Sequence, residues 1–258
     1  MIEWVKRVFG PGEIGPPVDA HALPLHLALG VRDAEGAEIV HAMLENADAP
    51  RVQADDDRSL LGTEFVGILV PAPVREPDHY QLVNRQGTRI GVILARRNRA
   101  GLCVDPILRV VGEQGTMSTV DWESRFVTSV SGWTSAVVRD ADERVVGRVT
   151  TRRRGEVLDG DGRLLASSPD VRTRRDAHRH APFDAYLVDP DRHVRVGLLY
   201  SGSPRRTRSL TSQREPRYSQ ATILRFDPDG DRRLRALALA LWFCEEELTV
   251  RRQRAGGG

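Results

Sequence analysis

The sequence predicts a mainly β fold with one buried helix near its C-terminus. Two observations carry this prediction. Pairs of β-type segments recur around short turns of Asp, Asn or Gly, and a single apolar run of nine residues spans Ala236 to Cys244. The turn signals indicate roughly ten or more strands, more than an open twisted sheet usually tolerates. A closed sheet or a sandwich is therefore expected.

Five segments are predicted to be β-hairpins. Each has two β-type stretches around a turn of Asp, Asn or Gly, residues that tolerate positive φ or bond their own backbone. The five are Leu29–Val40, Tyr80–Leu94, Ser135–Val149, Glu156–Ala166 and Ala185–Tyr200. Because their spacing follows no fixed period, neither a propeller nor a solenoid is indicated.

The apolar run is too short to span a membrane. A spanning helix needs about 20 apolar residues, and three glutamates, Glu245 to Glu247, follow the run directly. A strand remains possible because leucines alternate with alanines, but Ala and Leu are strong helix formers. Asp229 or Asp231 could cap a helix over about 231–246. Such a helix is apolar on every face, so protein must surround it. Its core residues would be Leu237, Leu239, Leu241, Trp242 and Phe243.

These residues resemble the Tubby C-terminal-like superfamily, in its phospholipid scramblase and LURP-one-related branch. The likeness rests on Phe226, Asp229, Asp231 and the apolar run through Phe243, preceded by the strand-turn-strand segment Phe183–Leu199. It covers about Leu60 to Arg252. The resemblance implies a closed antiparallel β-barrel of about twelve strands around a buried hydrophobic C-terminal α-helix.

The resemblance also implies a relation to membranes. Tubby domains bind phosphoinositide head groups through a basic surface. Scramblases have been proposed to bind calcium through an acidic segment before the helix, of which only Asp229 and Asp231 are present here. Calcium takes six to eight oxygen ligands. The two aspartates are therefore interpreted as a helix cap, or as a vestige of a calcium segment, and scrambling activity is not expected.

Three arginine-rich segments are candidates for binding anionic head groups. Arginine forms bidentate pairs with phosphate, and each segment lies between predicted strands. The candidate residues are Arg152, Arg153, Arg154, Arg174, Arg175, Arg205 and Arg206. If two of the segments share one rim of the barrel, they form a groove; if not, they only keep the surface polar.

The sequence offers no positive sign of catalysis or of a metal site. Ser129 to Ser131 lack a nucleophile-elbow context. His178 and His180, with His193 later, have no cysteine or carboxylate at ligand spacing, so structural or surface roles are expected. No enzyme activity, cofactor or metal is therefore expected.

The chain is expected to form one folded domain over 23–254, with a flexible segment over 1–22 and a disordered tail over 255–258. The N-terminal stretch carries Glu3, Lys6 and Arg7 and does not fit a signal peptide. Cys103 and Cys244 lie in apolar settings and are expected to be buried thiols. A cytoplasmic location follows, peripheral to the membrane if lipid is bound.

Two function classes remain open. Nucleic acid is an unlikely partner, because the basic segments lack interleaved aromatic residues apart from Tyr218. The first is a non-enzymatic barrel that binds anionic phospholipid or the membrane surface through an arginine-rich rim. The second is a protein-interaction or structural module with no lipid ligand.

Overall fold

The computed structural model describes residues 34–46, 62–71, 79–97, 103–112, 115–123, 135–151, 155–168, 184–202 and 218–255. Two helices lie within these ranges, α1 (Ala34–Asn46) and α2 (Arg232–Ala255). The strands are β1 (Phe65–Pro71), β2 (His79–Val83), β3 (Arg89–Arg97), β4 (Cys103–Gly112), β5 (Gly115–Trp122), β6 (Ser135–Asp140), β7 (Val145–Thr150), β8 (Glu156–Asp159), β9 (Leu164–Ser167), β10 (Asp184–Val188), β11 (Val194–Gly202) and β12 (Tyr218–Phe226).

The twelve strands form one closed barrel. Each strand pairs with its neighbours in sequence, all pairs are antiparallel, and β1 closes the barrel against β12 in a register that matches Phe65 with Arg225. Closure removes the exposed sheet edges that would otherwise invite pairing with other chains. The prediction of a closed twelve-stranded barrel is confirmed, and the sandwich alternative is excluded.

Four of the five predicted hairpins are present and share one turn. Each turn begins with an Asn or Asp, which we call the leading residue. Its backbone carbonyl accepts a hydrogen bond from the amide three residues later, and its side-chain Oδ1 accepts one from the amide four residues later at 2.8–2.9 Å. The residue three positions on has positive φ, between 62° and 82°. The leading residues are Asn84, Asp140, Asp159 and Asp189. Asn and Asp recur in the sequence because their side chains replace backbone acceptors in these turns.

The helix α2 fills the barrel. Its apolar run packs in one core with inward-facing residues from all twelve strands, and every residue from Leu234 to Cys244 is at most 8% exposed. Leu237, Leu241 and Phe243 are completely buried. Tyr80 of β2 meets Trp242 and Phe243 edge-on, with ring centroids 5.7 and 5.6 Å apart. The predicted central helix core, Leu237, Leu239, Leu241, Trp242 and Phe243, is thus enclosed by strands.

The start of α2 is fixed by Asp231 and Arg235. Oδ1 of Asp231 accepts the Arg233 amide at 2.9 Å, which makes Asp231 the N-cap. Arg235 is buried within the first turns and donates to the backbone carbonyl of Thr63 at 2.7 Å and to that of Asp227 at 3.3 Å. Its guanidinium lies over the Phe226 ring at 5.6 Å. A buried arginine is tolerated here because strand-end carbonyls receive its hydrogen bonds.

The end of α2 differs from the prediction. The helix was expected to stop near residue 246, but it continues to Ala255, so residue 255 belongs to the helix and not to a disordered tail. Glutamate is itself a good helix former, and neither Gly nor Pro occurs between Arg232 and Ala255. Glu247 is only 3% exposed, so the helix still packs against protein at the glutamates.

The predicted hairpin over Leu29–Val40 is wrong, because residues 34–46 form α1. This helix lies on the outside of the barrel. Along β1, Val66, Ile68 and Val70 face α2, whereas the alternate residues Phe65 and Leu69 face α1. Strand β1 is therefore buried on both faces, as its almost unbroken apolar sequence requires.

Candidate functional site at the arginine end

The topology assigns every strand connection to one of two barrel ends. In a barrel of sequential antiparallel strands, connections after odd-numbered strands attach at one end and those after even-numbered strands at the other. We call the first the arginine end; its segments are 72–78, 98–102, 123–134, 151–155, 168–183 and 203–217. The second is the turn end, with segments 84–88, 113–114, 141–144, 160–163, 189–193 and 227–231.

The two ends differ in charge. The arginine-end segments contain fifteen arginines and six carboxylates, a formal charge of +9. The turn-end segments contain four arginines and nine carboxylates, a formal charge of −5. The chain as a whole carries only +2. The chain is almost neutral as a whole, but the segments that attach at its two barrel ends have formal charges of opposite sign.

All seven arginines predicted to bind lipid lie, in the sequence, within segments that attach to the barrel at the arginine end. Arg152 to Arg154 lie between β7 and β8, Arg174 and Arg175 between β9 and β10, and Arg205 and Arg206 between β11 and β12. These seven residues are outside the described part of the chain. The described strand ends to which their segments attach, among them Thr150, Glu156 and Ser167, lie at the same end of the barrel.

The helix α2 points toward the arginine end. It starts at the turn end, beside the last residue of β12, and Leu237 packs over Gly147 in β7. Eight residues later Glu245 lies beside Gly155, which directly precedes β8 at the arginine end. Ten further helical residues follow, about 15 Å of helix. They carry Arg251, Arg252 and Arg254 in their sequence and extend the helix in the direction of the basic segments.

Carboxylates of α2 lie inside the barrel near this end, a feature that the sequence analysis missed. The Tyr186 hydroxyl donates to Oε2 of Glu245 at 3.2 Å. Burial, and then the charge of Glu245, raise the pKa of Tyr186 well above its usual value, so the phenol stays protonated and can donate. Desolvation, and then the neighbouring charge of Glu247, raise the pKa of Glu246. Strand alternation could not have revealed this contact, because Leu187 also faces the core and the register of β10 shifts on both sides of Leu187.

The turn end is held by an ion-pair cluster that was also missed. Arg195 of β11 donates through Nε to Asp189 at 2.9 Å, and its Nη1 pairs with Asp227. Burial opposes ionisation of Asp189, but the His193 amide and Arg195 outweigh it and lower the pKa of that carboxyl. This cluster joins the β10–β11 turn to the segment that leads into α2.

The two aspartates assigned to a cap or vestigial calcium segment have different roles. Asp231 caps α2, and its carboxylate also pairs with Arg233 at 2.7 Å. Asp229 is exposed, and its backbone amide donates to Oδ1 of Asp227 at 3.1 Å. Asp227 is itself paired with Arg195. The carboxylates of Asp227 and Asp231 therefore stabilise the turn after β12 and the start of α2.

One group of possible metal ligands occurs among the described residues, Asp189, Asp191 and His193, whose ligand atoms lie within 4.8 Å of one another. The oxygens of Asp189 are already engaged, Oδ1 by the His193 amide and Oδ2 by Arg195. His193 belongs to the turn, where its Nδ1 is 3.4 Å from Asp189. The geometry matches a turn closed by an ion pair. His178, His180 and Ser129 to Ser131 lie outside the described residues.

Comparison with protein-family models, with curated proteins and with solved structures finds no match to this chain. Among the described residues, no helix is both long enough and apolar enough to cross a bilayer. The described Cys244 is a buried free thiol, as expected.

Proposed function

We propose that this protein is a non-enzymatic barrel that binds anionic phospholipid at a membrane surface through its arginine end. The observation that carries the proposal is the separation of charge along the barrel axis. Segments with a formal charge of +9 attach at one end, and segments with −5 at the other. A molecule with this charge separation is expected to approach a negative surface with its arginine end first.

The physical chemistry of arginine supports this ligand class. Each Lys or Arg close to an acidic membrane contributes about 1 kcal/mol of attraction, and the guanidinium can hold a phosphate through two hydrogen bonds. The last turns of α2 run toward the same end, and their sequence contains three more arginines. Several arginines acting together therefore suffice for reversible attachment without a membrane-spanning segment.

The architecture is the one that the resemblance to the Tubby C-terminal-like superfamily predicts, a twelve-stranded barrel around a C-terminal helix. Members of that superfamily are mostly membrane-associated or membrane-responsive, which favours a lipid surface as the partner. We infer a cytoplasmic location with peripheral attachment, because the inner leaflet is the anionic one.

The test is co-sedimentation with vesicles of phosphatidylcholine, with and without phosphatidylserine, at low and high salt. Binding is expected only with the acidic lipid and should weaken as salt rises. Replacing Arg152, Arg153 and Arg154 together by Gln should weaken it by up to about 100-fold, at about 1 kcal/mol for each arginine.

The matched control changes the same number of charges at the other end. Arg144, Arg163 and Arg192 lie in three turn-end segments, and replacing all three by Gln should leave vesicle binding within about twofold. Equal losses from the two triple variants, or binding that ignores lipid charge, would contradict the proposal.

A further inference from the structure

Histidines are distributed unequally between the two ends of the barrel. His79 is the first residue of β2, so it lies at the arginine end, and it is exposed. His178 and His180 lie, in the sequence, within segment 168–183, which attaches at the same end. His193 belongs to a turn-end segment. Of the four histidines between residues 62 and 255, three therefore belong with the basic segments.

The charged groups at the described positions around His79 are positive. Its antiparallel partner on β3 is Leu94, whose own partner on β4 is Arg109. Both are exposed, and so is Arg96, which lies two residues beyond Leu94 toward the arginine end. On the other side β2 pairs with β1, which ends in the uncharged residues Leu69 to Pro71. A proton on His79 therefore adds to charge of the same sign.

Protonation of histidines makes the arginine end more basic. Histidine is the side chain whose charge normally changes between pH 5 and 8. Protons on His178 and His180 raise the formal charge of the arginine-end segments from +9 to +11, and His79 adds a third charge where β2 begins. At the turn end only His193 contributes, and its Nδ1 lies 3.4 Å from the Asp189 carboxylate. Acidification therefore increases the difference in charge between the two ends.

The carboxylates of α2 at the arginine end change in the same direction. Glu245 accepts the hydrogen bond of Tyr186, and Glu247 is almost completely buried. Desolvation, and then the charge of Glu247, raise the pKa of Glu246. A proton on Glu246 removes a negative charge from the end at which the histidines gain positive ones.

We propose that attachment of the arginine end to anionic phospholipid is regulated by pH, with His79, His178 and His180 taking up protons as this end meets the membrane. The inference rests on the proposed function and adds the regulation of the same site. Lipid binding and proton binding are linked, so protons that strengthen attachment are themselves held more tightly in the attached state. The negative potential of an acidic membrane also concentrates protons roughly threefold at its surface.

The test is co-sedimentation with vesicles of phosphatidylcholine and phosphatidylserine at fixed salt, at pH 7.5 and at pH 5.5. The wild-type chain should bind about 10- to 100-fold more tightly at pH 5.5, because each added charge contributes up to about fivefold. A chain with His79→Gln, His178→Gln and His180→Gln should lose most of this gain. Its affinity at pH 7.5 should stay within about twofold of the wild type, because histidine is mostly neutral there. Glu246 is present in both chains, so their difference reports the histidines.

The matched control is His193→Gln, which removes a histidine from the turn end and should keep the wild-type response to pH. Near-UV circular dichroism at both pH values shows whether each chain retains its packed core. If the triple variant does not fold, His79→Gln alone replaces it, and this exposed substitution should lose up to about fivefold of the gain.

The possible results distinguish this inference from the proposed function. Salt-sensitive binding to acidic vesicles, with the same pH response in the triple variant as in the wild type, overturns the regulation and leaves lipid binding in place. A triple variant weakened by one factor at both pH values also overturns it, as does an equal loss of response in His193→Gln. Absence of binding at either pH overturns both proposals.

Discussion

Asp231 shows how one side chain sets the start of the central helix. Its carboxylate accepts the Arg233 amide, one of the donors that a helix N-terminus leaves without an intrahelical partner. The same carboxylate pairs with the Arg233 side chain, which offsets the unfavourable positive charge of Arg232 and Arg233 near the positive end of the helix dipole. The hydrogen bond of Arg233 lowers the pKa of Asp231.

Replacing Asp231 by Ala should therefore lower the free energy of unfolding by about 1 kcal/mol, the usual loss for an N-cap. Urea unfolding followed by circular dichroism measures it. Asp229→Ala is the control, since Asp229 is exposed and does not cap α2, and it should change stability by no more than about 0.5 kcal/mol. An equal loss in both variants would show that Asp231 has no capping role.

Glu246 should make the protein less stable as the pH rises. Desolvation, followed by the charge of Glu247, raises the pKa of Glu246 in the folded state. For an acid with a raised folded-state pKa, the stabilising contribution is complete below its unfolded pKa and is lost as the pH rises through the folded value. Glu246→Gln cannot ionise and should have a higher Tm than the wild type at pH 7, with the difference vanishing near pH 4.

The control for that experiment is Glu38→Gln, which removes an exposed carboxylate of α1. Its Tm difference from the wild type should stay small and nearly constant with pH. A Glu246→Gln variant with lower stability than the wild type at pH 7 would mean that the ionised carboxylate is needed for folding.

At the scale of elements, the barrel and its helix meet through glycines. A Cβ on Gly147 would lie 2.2 Å from the Leu158 carbonyl oxygen and 3.1 Å from both Leu237 methyl carbons. The first contact involves backbone of the neighbouring strand, which cannot rotate away. Gly147 therefore lets β7, β8 and α2 come together.

Gly147→Ala should lower the free energy of unfolding by about 1–3 kcal/mol, the usual range for overpacking a core. Gly160→Ala is a close control, because its Cβ would meet only the Val145 carbonyl oxygen at an ordinary 3.4 Å. Denaturant titration of both variants gives the comparison. A Gly147→Ala chain as stable as the control would mean that α2 is not held tightly against β7.

The hairpins and the central helix were predictable because their signals are local. A leading Asn or Asp closes each turn through its own side chain, and the apolar run has nowhere to be buried except inside a sheet. The helix α1 was not predictable in this way. Its segment contains Gly36 and the β-branched pair Ile39 and Val40, which resemble turn and strand. Packing on the outer face of the barrel decides the outcome instead.

The end at which each arginine segment attaches depends on the whole molecule. The predicted hairpins accounted for only some of the strands, and one strand more or fewer before Arg152 would move that segment to the opposite end. The sequence alone therefore identified the basic segments without showing that they share an end. The complete strand order supplies this information.

At the scale of the whole molecule, the central claim is that the arginine end faces an anionic surface. Hydrogen exchange with mass spectrometry, with and without phosphatidylserine vesicles, tests it on the unmodified chain. Protection is expected in 151–155, 168–183, 203–217 and the last turns of α2, and none in the turn-end segments 141–144, 160–163 and 189–193. Protection of the turn-end segments, or of neither end while the protein sediments with vesicles, would contradict the account.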